Sequence, residues 1–156
     1  EYILLTLAED RLLATAIAVR IDPGAATIAY SSAGHPPALL TGADGTVRRL
    51  DSTTVILGVI DNAAYGNGNV DVPIRRGDRL LLFTDGAFER RDRHGRMLDL
   101  DGFEAMVQRC ATTAGMPTEE AFLERLERTI NDFRAGAPDD DTLLVLVEPG
   151  HENDAT

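Results

Sequence analysis

The sequence predicts an α+β fold in which antiparallel strands form a β-sandwich flanked by α-helices. Three observations predict it. Short alternating or apolar runs, punctuated by Pro, Gly, Asn and Asp, fill the chain up to Phe83. Two segments with apolar residues at helical spacing follow between Asp101 and Phe133. One apolar run, "TLLVLV", comes last. Strands, then helices, then a closing strand is an α+β order. Strands apolar on both faces need cover on both sides, which a single sheet with one helix layer does not supply.

The elements follow in order. "EYILLTLAEDRLL" carries Ile3, Leu4, Leu7 and Leu12 at helical spacing and predicts the middle or end of a helix. "ATAIAVRID" and "ATIAYSSAG" are strands, joined through Pro23-Gly24 as a hairpin. "PALLTG" and "TVRRLD" flank "ADG" at Ala43 to Gly45, a second hairpin whose turn residues suit positive φ. Residues 51–67, with Gly58, Gly66, Asn62 and Asn67, read as a surface loop. "NVDVPI" alternates, a strand with one exposed face, and "RRGD" turns the chain into "RLLLF". That run is apolar on consecutive residues, so both of its faces are expected to be buried.

Asp101 is positioned to cap the first helix, with Glu104 three residues on as its box partner. Phe103, Met106, Val107 and Cys110 form its apolar stripe, and Gly115 ends it. Pro117 and Thr118 open the second helix, whose stripe is Phe122, Leu123, Leu126, Ile130 and Phe133. "AGAPDDD" is a loop, "TLLVLV" a strand expected to be buried on both faces, and residues 149–156 a flexible polar tail. The globular domain is thus expected to span residues 1–148.

Charge and composition exclude several function classes. A net charge of −11 argues against nucleic acid or an anionic membrane surface as partner. No apolar run approaches the length of a membrane span, and no signal-peptide pattern opens the chain, which predicts a cytoplasmic domain without membrane contact. The single cysteine, Cys110, excludes an internal disulfide framework and fits a reducing compartment. All 15 basic residues are Arg, which reflects coding composition rather than function.

The chemistry lies where the two most apolar strands end in acid. "RLLLFTDG" closes on Asp85, and "DDDTLLVLV" opens on Asp139, Asp140 and Asp141. If the two strands pair antiparallel, the end of one meets the start of the other and several carboxylates gather at one sheet edge. Like charges at that distance raise one another's pKa, and a divalent cation relieves the conflict. Hard oxygen ligands of this kind suit Mg²⁺ or Mn²⁺. The competing reading is an ordinary solvated Asp-Gly turn and an acidic loop.

Three motifs in order, "YSSAGHPPALL", "DRLLLFTDGAFE" and "GAPDDDTLLVLV", resemble the SpoIIE-like branch of the PPM-type (type 2C) serine/threonine phosphatases from about Leu12 to Val147. The resemblance implies a four-layer αββα fold and a metal-dependent hydrolase. It implies two Mg²⁺ or Mn²⁺ ions in a complete site and a cytoplasmic role in stress response and sigma-factor regulation. The implied substrate is phosphoserine or phosphothreonine on a STAS-type anti-sigma-factor antagonist, and a sensor domain can precede the phosphatase in a longer protein. By this resemblance the metal ligands are Asp85 and, from the late D-D-x-T motif, Asp139 with Asp140 second. The run of three Asp leaves that register open by one. Thr84, Gly86 and Glu89 fall close to the site without binding metal, and Gly34-His35-Pro36-Pro37 is a structural loop. No catalytic group beyond the metal ligands is expected.

One departure stands against the matches: the family's early D-x-x-G-H-G-type motif is not in these residues. The expectation is therefore an N-terminally incomplete domain that holds at most one metal ion. The alternative is a catalytically inactive module that binds its partner without chemistry. A haloacid-dehalogenase-like site needs a second Asp two residues after Asp85, where this chain has Ala87. A cysteine-phosphatase site needs an Arg in a context that Cys110 lacks.

Overall fold

The computed structural model describes residues 13–22, 24–60, 65, 68–112, 118–133 and 141–148. The helix expected at the N-terminus, the loop at 134–140 and the tail at 149–156 lie outside them. Of the described residues, 13–37 with 51–74 form one compact unit and 38–50 with 75–148 form the other.

The first unit is a three-stranded antiparallel sheet built from β1 (Ala16–Asp22), β2 (Thr27–Ala33) and β5 (Val70–Pro73), with β2 in the middle. The register runs from Ala16↔Ala33 to Asp22↔Thr27 on one side and from Thr27↔Pro73 to Tyr30↔Val70 on the other. β1 and β2 form the expected hairpin. Its turn is held by Asp22, whose Oδ1 accepts the Ala25 N–H at 2.9 Å. Ile28, Tyr30, Val72 and Ile74 are buried. Residues 52–54 dock along the end of β2: the Ser32 carbonyl accepts the N–H groups of Thr53 and Thr54, both at 2.9 Å. The loop Gly34 to Pro37 then turns tightly. Gly34 has φ +63°, and a Cβ there would come within 2.9 Å of the Ile56 Cβ. His35 donates from Nδ1 to the Pro36 carbonyl at 2.9 Å, so the ring closes its own loop.

The second unit is a four-stranded antiparallel sheet with two helices. Strand order is β4 (Val47–Leu50), β3 (Ala38–Thr41), β6 (Arg79–Phe83), β7 (Leu144–Val147). Helix α1 is Asp99–Thr112 and helix α2 is Glu119–Phe133. Leu39, Leu81 and Phe83 form one core with Phe103, Met106, Val107 and Cys110 of α1 and Phe122, Leu126 and Ile130 of α2. The Phe83 and Phe103 rings lie 4.6 Å apart. Leu40 and Leu80, on the opposite face, are buried too, so "RLLLF" is covered on both faces as expected. Burial pushes the Cys110 thiol pKa up, which leaves it a packed apolar group rather than a nucleophile. Thr118 caps α2, accepting the Ala121 N–H on Oγ1 at 3.2 Å.

Two expectations are corrected. The cap of α1 is Asp99, at φ +55°, with its Oδ1 accepting the Gly102 N–H at 2.8 Å. Asp101 and Glu104 both turn to Arg49 of β4 instead, with Arg49 Nη2 at 2.5 Å from Asp101 and Nε on Glu104. A cross-element guanidinium satisfies both carboxylates better than one backbone N–H does. The second correction is β7. It is not buried on both faces: Val145 is 39% exposed and Leu143, just before the strand, 59%. β7 sits at the edge of its sheet and pairs only with β6 among the described residues. An apolar run alone does not distinguish an edge strand from a central one.

The α+β class with antiparallel sheets is therefore what the chain adopts. No described helix is long and apolar enough to cross a membrane. Phe103 touches both the sheet and the helix pair and is fully buried. Phe103→Ala should cost about 3–5 kcal/mol of unfolding free energy. Urea unfolding followed by circular dichroism checks this, and a loss under 1 kcal/mol would place the packing centre elsewhere.

Candidate functional site

β6 and β7 pair antiparallel from Leu80↔Val147 to Phe83↔Leu144. The end of "RLLLF" and the start of "LLVLV" are thus adjacent, as the acidic ends of the two runs suggested. Arg79 and Glu148 form an ion pair at 3.0 Å where β6 begins and β7 ends. At the other end the pairing extends past the strands through Thr84.

Thr84 is extended, with φ −87° and ψ 165°. Its N–H donates to the Leu143 carbonyl at 3.2 Å. Its hydroxyl accepts the Leu143 N–H at 3.0 Å and donates to the Asp141 carbonyl at 3.2 Å. One residue therefore makes three bonds to the chain entering β7. The next three residues, Asp85–Ala87, form a 3-10 turn. The turn throws the Asp85 side chain outward, where it is exposed. Asp85 Oδ1 accepts the Gly86 N–H at 2.9 Å, which fixes the carboxylate orientation. Among the described residues its Oδ2 accepts no hydrogen bond.

Gly86 is required by proximity. A Cβ on it would meet the carbonyl of Asp141, 3.0 Å from the carbon and closer to the oxygen, and would lie 3.2 Å from Thr142 Oγ1. The Gly86 carbonyl accepts the Thr142 hydroxyl at 2.9 Å and the Arg90 Nε–H at 2.6 Å. Arg90 Nη2 also bonds Thr142 Oγ1. So T-D-G here is a division of labour: Thr joins the two chains, Asp projects, and Gly lets the second chain pass.

The structure brings Thr84, Asp85 and Gly86 against Asp141 and Thr142. Asp139 and Asp140 lie outside the described residues. Glu89 is exposed and linked to Asp85 through its backbone, its N–H donating to the Asp85 carbonyl at 2.9 Å. Among the described residues no three His, Cys, Asp or Glu side chains gather as a metal cluster. The donor that is described fits a hard cation: an exposed carboxylate, oriented by one N–H to one of its oxygens. A cleft of about 350 Å³ opens beside Thr142 and Leu143, bounded by Arg90 and by Glu127 and Asn131 of α2. Asp85 does not line it, so this carboxylate stands at the surface rather than in the cavity.

Sequence reasoning missed Arg90. It is buried and bonds both chains at the site, yet it sits in "ERRDRHGR" with no feature to separate it from Arg91, which is exposed. The loop after it is ordered by Asp92, which accepts the N–H groups of His94 at 2.8 Å and Arg96 at 3.0 Å and pairs with the Arg96 side chain. Partial burial raises the Asp92 carboxyl pKa, and these bonds outweigh it, bringing the value down to about 2.

Residues 1–149 match the family described as Stage II sporulation protein E (SpoIIE). Two phosphoserine phosphatases of Bacillus subtilis are relatives. RsbP is 35% identical over 81 residues, 52% of this chain and 20% of RsbP. RsbU is 27% identical over 118 residues, 75% of this chain and 33% of RsbU. The chain thus spans a fifth to a third of the length of these relatives. The crystal structure of the RsbU and RsbW domains of a Mycobacterium tuberculosis protein superposes with a TM-score of 0.67 at 29% identity, covering 85% of this chain and 36% of that one.

The Gly86 contact yields a direct check. Gly86→Ala forces a methyl into the Asp141 backbone, which cannot yield without losing the Thr84 bond. The expected cost is about 1–3 kcal/mol of stability. Amide hydrogen exchange should show lost protection at Leu143; unchanged protection there would contradict the close approach.

Proposed function

The chain belongs to the SpoIIE family, and from that membership we propose that it works as a metal-dependent PPM-type protein phosphatase domain. Its substrate is phosphoserine or phosphothreonine on a regulatory protein of the STAS type, in the control of a sigma factor. Asp85 is one metal ligand, and Asp139 with Asp140 supplies the other arm.

The observation that supports this reading is the clasp of Thr84, Gly86, Asp141 and Thr142, which holds the chain at Asp85 against the chain at Asp141. A pair of adjacent strands needs no such bonds beyond its ladder. When bound, Mg²⁺ or Mn²⁺ lowers the pKa of an attacking water and offsets charge on the phosphoryl oxygens. The chain's own part is to orient oxygen donors. Asp85 is fixed through Gly86 N–H, and its exposed Oδ2 is the atom available to a cation. Thr84 sets how far the Asp141 backbone stands from it. Cys110 is buried with a raised pKa, so hydrolysis by an activated water suits the chain better than a cysteinyl-phosphate route.

Accessibility supports the proposed substrate class. Asp85 lies at the surface and outside the neighbouring cleft, a position a phosphorylated side chain on a folded protein can reach. A net charge of −11 disfavours nucleic acid. The proposed setting is the cytoplasm.

The test uses the full-length protein with a phosphorylated STAS partner and Mn²⁺. Replacing Asp85 with Asn removes the charge and keeps the shape. Turnover should fall by roughly 100-fold or more, since even the partners of metal ligands are worth up to that much. Full activity in the variant would sink the assignment of Asp85. Binding of the phosphoprotein without any turnover in the parent would replace this reading with a partner-binding module.

A further inference from the structure

A buried guanidinium is costly unless its donors are matched, so a buried Arg beside a surface turn calls for an explanation. Arg90 is 8% exposed, while its neighbours Arg91, Arg93 and Arg96 are exposed. Its Nε–H donates to the Gly86 carbonyl at 2.6 Å. Its Nη2 donates to Thr142 Oγ1. Thr142 in turn donates its hydroxyl proton to the same Gly86 carbonyl at 2.9 Å. The three groups close a triangle, with Gly86 and Thr142 bonded to each other and the Arg90 guanidinium bonded to both. Gly86 follows Asp85 directly, and Thr142 follows the run Asp139 to Asp141 directly. Arg90 is itself fixed from behind, because its carbonyl accepts the Leu98 N–H at 2.8 Å. The planar fork of Arg can serve both acceptors at once, which a Lys ammonium cannot do with the same geometry.

We propose that Arg90 is a positioning residue: its fork sets the separation between Asp85 and the chain at Asp141 and Thr142 and thereby tunes the affinity of the site for a divalent cation. The proposal rests on the metal-dependent reading above. It assigns Arg90 no contact with substrate or metal. Its effect passes through the backbone of Gly86 and the hydroxyl of Thr142. A residue of this kind, bonded to the residues that carry ligands rather than to the ion, is commonly worth a sizeable part of metal affinity.

Isothermal titration of the full-length protein with Mn²⁺ alone tests it, at a temperature where circular dichroism shows parent and variants equally folded. Arg90→Met keeps an apolar stem and deletes the fork. Thr142→Val deletes the shared hydroxyl on an exposed residue, so it carries the test should Arg90→Met not fold. Each should weaken Mn²⁺ binding by roughly 10- to 100-fold. The double variant should lose little more than the worse single one, because both sever one link. Parent-like affinity in both single variants overturns the proposal, whatever they do to thermal stability, as does full additivity in the double variant. A parent that binds no Mn²⁺ overturns the metal-dependent reading itself, which separates the two failures.

Discussion

The Thr84 hydroxyl is the interaction on which the site depends. It accepts from Leu143 and donates to Asp141, so a single oxygen fixes where the chain enters β7 relative to where β6 stops. A strand ladder alone would stop at Phe83↔Leu144 and leave both ends to fray. With Thr84 in place, the rigidity of the buried β6 is carried one step further, to the carboxylate of Asp85. A side chain on such a strand end is placed more accurately than one on an unsupported loop. Burial of β6 on both faces and the projection of Asp85 are two halves of one arrangement.

The Gly86 contact extends the same logic. Close approach of the second chain requires a residue without a Cβ after the carboxylate, and the bonds from Thr142 and Arg90 fill the acceptor that the approach exposes. The 3-10 turn, the extended Thr and the missing Cβ are therefore coupled. Altering one changes the distance between Asp85 and the chain at Asp141 rather than only the local turn. This coupling gives each residue of T-D-G a separate part at the end of β6.

Much of this was legible in the sequence. Consecutive apolar residues in "RLLLF" and "TLLVLV" identified two strands, while their antiparallel pairing was a condition of the acidic-edge reading that the structure meets. The stripes of Phe103 to Cys110 and Phe122 to Phe133 marked the helix faces that enter the core. What was not legible depends on partners distant in sequence. Asp101 resembled a cap until Arg49, from another element, claimed it. The exposure of Val145 follows from strand order, which apolarity does not encode. Arg90 is one Arg among several, and only its burial separates it from the others. The resemblance to the SpoIIE-like phosphatases supplied ligand roles that spacing alone left open against a solvated acidic turn.

The central claim is that Asp85 and the Asp139–Asp140 segment share a divalent cation. Anomalous diffraction from crystals of the full-length protein grown with Mn²⁺ tests it most directly. The account predicts a Mn²⁺ peak within coordination distance of a carboxylate oxygen of Asp85. The same peak should be approached by a carboxylate of Asp139 or Asp140, directly or through one water. A fully occupied metal peak away from Asp85, or none at saturating Mn²⁺, would contradict it.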